Sequence, residues 1–126
     1  MKIEHVALWT HDLEHSHTFY ETYFKGKAND KYTNPAKQFE SYFLTFGDGA
    51  RLELMQMPGI AAGLSHPTLG WAHIAVAVGS QTTVDTLTER LRHDGYIIES
   101  EPRTTGDGYY ESVVLDPDGN RIEITI

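Results

Sequence analysis

The sequence predicts an α+β fold in which two tandem βαβββ modules form a curved, partly open eight-stranded sheet. The first observation is a repeated segment: residues 48–54 (DGARLEL) return at 118–124 (DGNRIEI), and 48 aligns with 118 as 53 aligns with 123. The second is that HVAL at 5–8 is echoed by HIAV at 73–76. The third is that each half shows the order strand, helix, strand, strand, strand. Internal repeats of this kind indicate a duplicated supersecondary unit.

Size and composition limit the classes of protein that are possible. A chain of 126 residues with 40% hydrophobic and 22% charged residues fits one compact globular domain, 1–126. The net charge of −8 argues against a nucleic-acid partner. The absence of cysteine excludes disulfides and thiolate ligands. No apolar run approaches the ~20 residues of a membrane span, and no secretory signal is evident, so we expect a cytoplasmic protein without membrane contact.

The first module covers about 1–57. Alternation predicts a strand at Lys2–Trp9, and Thr10 or Asp12 can cap a helix at Leu13–Lys25 that Gly26 ends. Its apolar stripe combines Phe19, Tyr20, Tyr23 and Phe24. The module is completed by three predicted strands, at Lys27–Thr33, Phe39–Phe46 and Arg51–Met57.

The second module covers about 71–126 and repeats that order, after a linker at 58–70 that contains three glycines and two prolines. Ser80 or Thr82 caps its helix, whose stripe is Val84, Leu87 and Leu91 and whose end is Gly95. The turn Asp116-Pro117-Asp118-Gly119 precedes the last strand. The predicted strands are Trp71–Val78, Tyr96–Arg103, Tyr110–Leu115 and Arg121–Ile126.

The repeat places the same chemistry in both modules: a histidine in the first strand and a glutamate in the last, namely His5, Glu53, His73 and Glu123. The apolar neighbours of each glutamate must face a core, so each carboxylate points to the opposite face. Alternatively these residues belong to a solvated strand face, but equivalent positions in two repeats favour a divalent metal site. Imidazole and carboxylate ligands suit Zn, Ni, Co, Mn or Fe rather than Cu(I) or Ca.

With this ligand set, the two modules and the turn at 116–120, the whole chain resembles the vicinal oxygen chelate superfamily, and glyoxalase I within it. The resemblance implies a metal that chelates vicinal oxygens of a small substrate. It implies that Glu123 moves a proton between adjacent carbons of a hemithioacetal, with Glu53 as ligand and partner base. The carboxylate at Glu53 favours glyoxalase I over the dioxygenase, epimerase and thiol-transferase branches. A drug-sequestering resistance protein is a further alternative.

Two departures from glyoxalase I concern the substrate. Trp9 stands where a glutathione-binding arginine is expected, and Met57 where an asparagine is expected. We therefore expect a thiol other than glutathione, with Trp9, Met55 and Met57 lining a more apolar pocket, although both methionines suit a core equally well.

Further candidates for substrate contact lie in or beside the loop at 104–110. Tyr109 and Tyr110 follow Gly106 and Gly108, whose conformational freedom permits mobility, and the tyrosines can stack on or hydrogen-bond a ligand. Arg103 can pair with an anionic substrate or with surface acids. A plain connector is the alternative for this loop.

The predicted assembly is a homodimer. One module carries half the ligands, so two halves must meet, either within one chain or between chains, and the linker at 58–70 can span either geometry. Open sheet edges favour pairing with another module, and two-fold dimers are the commonest assembly. The resemblance implies that the site mixes His5 and Glu53 of one chain with His73 and Glu123 of another.

Overall fold

The computed structural model describes residues 2–62 and 69–126, which fall into two compact units, Met1–Gly63 and Leu64–Ile126. Each unit contains one helix and one sheet, in the predicted order, and the α+β class is confirmed. No helix among the described residues has both the length and the apolar composition needed to cross a membrane.

The first unit is a five-stranded sheet with one helix. The elements are β1 (His5–Trp9), α1 (Leu13–Phe24), β2 (Lys27–Ala28), β3 (Tyr32–Asn34), β4 (Phe39–Thr45) and β5 (Arg51–Gln56). The strands lie in the order β1-β5-β4-β2, and β3 also pairs with β4. β1 and β5 are parallel, whereas the pairs with β4 are antiparallel.

Helix α1 begins as predicted and ends differently. The Asp12 side chain accepts a hydrogen bond from the His15 backbone N–H, as an N-cap does. At the C-terminus it is Lys25, not Gly26, that adopts the left-handed conformation, with φ of 57°. Gly26 is instead tightly packed, since a Cβ there would lie 3.0 Å from Cδ2 of the buried Leu44. The helix thus ends at Phe24, one residue before the predicted Lys25, and Gly26 follows the left-handed residue.

The predicted strand Lys27–Thr33 is divided into β2 and β3. The Asn29 side-chain oxygen accepts from the Phe43 N–H at 2.8 Å, while the Asn29 N–H donates to the Phe43 carbonyl at 3.0 Å. A side-chain amide thus replaces one backbone partner of the ladder, and regular pairing stops at Ala28. This division raises the strand count of the described residues to nine, in two hydrogen-bonded sheets, where eight strands were predicted.

The second unit is a four-stranded sheet with one helix, and its elements are β6 (Ile74–Ala77), α2 (Gln81–His93), β7 (Ile98–Thr104), β8 (Tyr110–Leu115) and β9 (Arg121–Thr125). The strands lie in the order β6-β9-β8-β7. Ser80 caps the helix by accepting from the Thr83 N–H, and Gly95 follows its end with φ of 91°. Of the predicted linker, residues 63–68 lie outside the described residues, and 58–62 and 69–70 belong to no helix or strand.

A turn fixes the start of β9. Asp116 is buried, and its Oδ1 accepts from the backbone N–H groups of Asp118 and Asn120 at 3.0 and 2.8 Å. Gly119 supplies the positive φ of 84° that the turn needs. The predicted tight turn is confirmed, and it sets the register of the strand that carries Glu123.

Candidate metal centre

The first histidine–glutamate pair is built by the parallel strands β1 and β5. Their register places His5 opposite Arg51 and Ala7 opposite Glu53. Leu52 and Leu54 are buried, so Glu53 between them points to the other face, with a side chain 15% exposed. His5 Nε2 lies 3.9 Å from Glu53 Oε2. The sheet therefore brings the two predicted ligands of this unit together.

The second pair repeats this arrangement, with one difference. Ala75 lies opposite Glu123 in the parallel pair of β6 and β9, just as Ala7 lies opposite Glu53. The flanking Ile122 and Ile124 are fully buried, and His73 Nε2 lies 3.2 Å from Glu123 Oε2. His73 was predicted within the strand Trp71–Val78, but β6 begins only at Ile74. The side chain of His73 therefore projects from the residue before the strand.

Both pairs offer donors that suit a divalent metal. With bonds of about 2.1 Å, neighbouring nitrogen and oxygen ligands lie about 3.0 Å apart in octahedral geometry and about 3.4 Å apart in tetrahedral geometry. The His73–Glu123 separation of 3.2 Å falls within that range, and the His5–Glu53 separation of 3.9 Å exceeds it by less than 1 Å. Across residues 2–62 and 69–126 no three histidine, aspartate or glutamate side chains gather into a potential metal site. Each unit by itself therefore brings together one histidine and one glutamate.

The first pair has neighbours that the sequence did not reveal. Glu4 Oε2 lies 2.5 Å from His5 Nδ1, and Arg51 Nε donates to Glu4 Oε1 at 2.8 Å. The Arg51 guanidinium lies over the Phe43 ring at 4.3 Å, and His5 meets that ring edge-on. The hydrogen bond with His5 is the main cause that lowers the pKa of the Glu4 carboxyl below its ordinary 4.5; desolvation opposes it and Arg51 reinforces it.

The residues predicted to line an apolar pocket share the first unit with His5 and Glu53. Trp9 is 40% exposed at the end of β1, lies opposite Met55, and meets the ring of Phe39 edge-on. Met55 and Met57 are half-buried, Met57 directly after β5. Alternation places Trp9 and Met55 on the same sheet face as His5 and Glu53. Their contact with substrate stays a prediction.

The loop between β7 and β8 is held by its own hydrogen bonds. The Thr105 N–H donates to the Tyr109 carbonyl at 2.8 Å, and the Thr105 hydroxyl donates to Asp107. Tyr109 is 59% exposed and available for contact. The Tyr110 hydroxyl donates to Asp85 of helix α2 at 2.7 Å, and that bond is the main cause that raises the pKa of the Tyr110 phenol. The plain-connector interpretation therefore describes the backbone of this loop, and substrate contact by the two tyrosines stays a prediction.

Arg103 has two partners in its own sheet. Its Nη1 donates to Ser100 Oγ at 2.7 Å, and its Nη2 lies 3.8 Å from Glu111 Oε1. Glu111, a buried carboxylate, was not singled out from the sequence, where nothing distinguishes it from the other acids. The guanidinium is half exposed and keeps donors for an anionic ligand.

A family model described as the Glyoxalase/Bleomycin resistance protein/Dioxygenase superfamily matches residues 2–124. The chain is 29% identical over 122 residues to the uncharacterized protein YwbC of Bacillus subtilis strain 168, and the match covers 97% of this chain and 94% of that protein.

Two solved structures show the same fold. Glyoxalase I from Zea mays superposes with a TM-score of 0.80 at 25% identity, over 98% of this chain. The chain spans only 44% of that maize chain. Glyoxalase I from Leishmania major, described as trypanothione-dependent, superposes with a TM-score of 0.79 at 26% identity, over 99% of this chain and 86% of its own.

Proposed function

Because the chain belongs to the glyoxalase/bleomycin resistance protein/dioxygenase superfamily, we propose that it is a metal-dependent glyoxalase I-like lyase or isomerase. The observation that supports this most is the duplicated pair: each unit holds one imidazole at or directly before its first strand and one carboxylate in the parallel strand beside it. If these residues were ordinary surface residues, nothing would require the same combination of histidine and glutamate in both modules.

In this proposal one divalent ion, of Zn, Ni, Co, Mn or Fe, is held by His5, Glu53, His73 and Glu123. When bound, the ion polarises the vicinal oxygens of the substrate as a Lewis acid. Apolar neighbours on both sides hold Glu53 and Glu123 in place, so their carboxylate oxygens meet the substrate in a defined direction. Neutral histidine supplies nitrogen lone pairs, which requires a pH above its ordinary pKa of about 6.5.

The proposed reaction moves two protons within the substrate. A Glu123 carboxylate oxygen accepts the proton from the hydroxyl-bearing carbon of a hemithioacetal and returns it to the adjacent carbonyl carbon, while the proton of the hydroxyl group passes to the former carbonyl oxygen. The product is a 2-hydroxy thioester, no atom is gained or lost, and the carboxylate is restored. Glu53 acts as the partner base.

The proposed thiol is not glutathione. Trp9 and Met57 offer no charged or amide group at the positions where the resemblance implies glutathione anchors. The trypanothione-dependent enzyme of Leishmania major is a precedent for another thiol in this fold. We expect weak turnover of the glutathione–methylglyoxal adduct, and kcat/KM above about 10⁶ M⁻¹s⁻¹ would contradict the substrate assignment.

The decisive experiment is elemental analysis of the purified protein, followed by turnover assays with hemithioacetals of several thiols. One divalent ion per chain and conversion of at least one hemithioacetal to thioester are expected. An iron requirement with oxygen uptake would indicate a dioxygenase instead. Tight binding of a drug-like ligand without turnover would indicate a sequestering protein.

We further propose a cytoplasmic homodimer whose sites combine His5 and Glu53 of one copy with His73 and Glu123 of the other. Glu53→Ala and Glu123→Ala chains are each expected to be inactive. A mixed dimer has one intact site and one doubly damaged site, so exchanged equal mixtures should regain about a quarter of the activity. No recovery after proven subunit exchange would refute sharing, and a monomer by sedimentation would refute the dimer.

A further inference from the structure

The two histidines of the proposed site differ in what holds them. In the first unit Glu4 Oε2 lies 2.5 Å from His5 Nδ1. Glu4 is itself held: Arg51 Nε donates to its other oxygen at 2.8 Å, and the Arg51 N–H donates to the Glu4 backbone carbonyl at 3.0 Å. Phe43 packs against both the imidazole of His5 and the guanidinium of Arg51.

This arrangement determines where the proton of the neutral imidazole lies. An ionised carboxylate only accepts hydrogen bonds, so His5 Nδ1 must carry the proton. Nε2 then keeps its lone pair, and it is Nε2 that lies 3.9 Å from Glu53 Oε2, the proposed fellow ligand. That separation exceeds a hydrogen bond, so Glu53 does not compete for a proton on Nε2. A carboxylate behind the imidazole is the usual means of orienting a metal-binding histidine.

The second unit has different residues at the equivalent positions. Ala72 precedes His73, where Glu4 precedes His5. Val113 lies opposite Glu123, where Phe43 lies opposite Glu53. Arg121, the counterpart of Arg51, donates instead to Glu99 of β7 at 2.5 Å. The repeat therefore duplicates the ligand pair without duplicating its support.

We propose that Glu4 is a positioning residue that fixes the Nδ1–H tautomer and the orientation of His5, and thereby prepares Nε2 for the metal. This inference rests on the proposed function for its consequence, the metal affinity. Its structural part, the tautomer, exists without metal. Glu4 touches neither substrate nor metal in this role and acts only through His5.

The test begins with the metal-free protein at about pH 8.5, where imidazole is neutral. Imidazole ¹⁵N NMR, assigned with a His5→Asn variant, should show His5 protonated at Nδ1 in the wild type. Glu4→Ala should mix the tautomers of His5, whereas Glu4→Gln should preserve Nδ1–H because its amide oxygen still accepts. Glu4 is largely exposed, so neither variant should impair folding. Wild-type His5 protonated at Nε2, or an unchanged tautomer in Glu4→Ala, would overturn the proposal.

Zinc titration provides the second measurement. Glu4→Ala should weaken binding about 10- to 100-fold, and Glu4→Gln should stay within a few-fold of the wild type. Glu99→Ala is the matched control, because it removes one exposed acid and the partner of Arg121 without touching either histidine. Equal losses in Glu4→Ala and Glu99→Ala would reduce Glu4 to a surface charge and overturn the proposal. A wild type that binds no zinc would refute the proposed function, while the tautomer measurement would still decide the role of Glu4.

Discussion

Replacement of His73 by alanine should remove most of the stabilisation by zinc while leaving the metal-free protein almost unchanged. The imidazole projects from the residue before β6 and is 39% exposed, so its removal costs the fold little. Substitutions at such positions change the free energy of unfolding by about 0.5 kcal/mol or less. The same substitution removes one of the two donors, 3.2 Å apart, that the second unit contributes.

The size of the effect follows from binding linkage. At a zinc concentration of 100 times the wild-type Kd, binding stabilises the folded state by about 2.7 kcal/mol. For a chain of this length that corresponds to a rise in Tm of about 10 °C. If loss of His73 weakens binding about 100-fold, the remaining stabilisation is about 0.4 kcal/mol, or about 2 °C. The two proteins should thus differ by about 8 °C in zinc and by about 2 °C or less in chelator.

Differential scanning fluorimetry at pH 8, with and without zinc, measures both quantities. His93→Ala is the control, because it removes an exposed histidine at the end of α2 that is not among the proposed ligands. Its zinc-induced rise should equal that of the wild type. A His73→Ala protein that kept the full rise would refute ligation by this residue, and equal losses in both variants would indicate nonspecific binding.

Three further predictions concern pH and packing. The zinc-induced rise in Tm should shrink as the pH falls through about 6.5, where protons compete for imidazole; an undiminished rise at pH 5.5 would contradict histidine ligation. Asp85→Asn should lower the raised pKa of Tyr110, seen by NMR of its ring carbons, because the charged acceptor is lost; this contact stabilises the fold below pH 10, and that stabilisation is lost as the pH rises through the folded-state pKa. Gly26→Ala should cost about 1–3 kcal/mol in urea unfolding through its clash with Leu44, while Gly49→Ala, with open space around it, should cost less than 1 kcal/mol.

The two histidine–glutamate pairs could be predicted from the sequence because the alternation along a strand and the internal repeat determine them. Alternation along a strand assigns Glu53 and Glu123 to the face opposite their buried neighbours, and the structure confirms those neighbours as core. The repeat then relates the two halves, and the strand registers agree: Ala7 lies opposite Glu53 as Ala75 lies opposite Glu123. Both inferences use only the order of residues within a strand and the offset between the repeats, so it was not necessary to know which strands pair.

Features that depend on contacts between distant segments could not be predicted in this way. The end of β2 depends on the Asn29 side chain bonding Phe43, 14 residues away. The tight packing around Gly26 comes from Leu44, on strand β4. Glu4 and Arg51 are 47 residues apart, and only the parallel pairing of β1 with β5 makes them neighbours. In the sequence both read as ordinary surface charges.

Of the two histidines, only His5 has a carboxylate beside its Nδ1 from the residue before it, and their positions relative to their strands explain this difference. His5 is the first paired residue of β1, opposite Arg51, so the residue before it lies close enough to that arginine to share a carboxylate between guanidinium and imidazole. His73 precedes the first paired residue of β6, and alanine before it has no group to offer. The ligand atoms must meet one ion and are constrained in both halves, whereas an imidazole can be oriented by any nearby acceptor. The proposed metal therefore requires the histidine and the glutamate in both units and leaves the residue before the histidine free to differ, as Glu4 and Ala72 do.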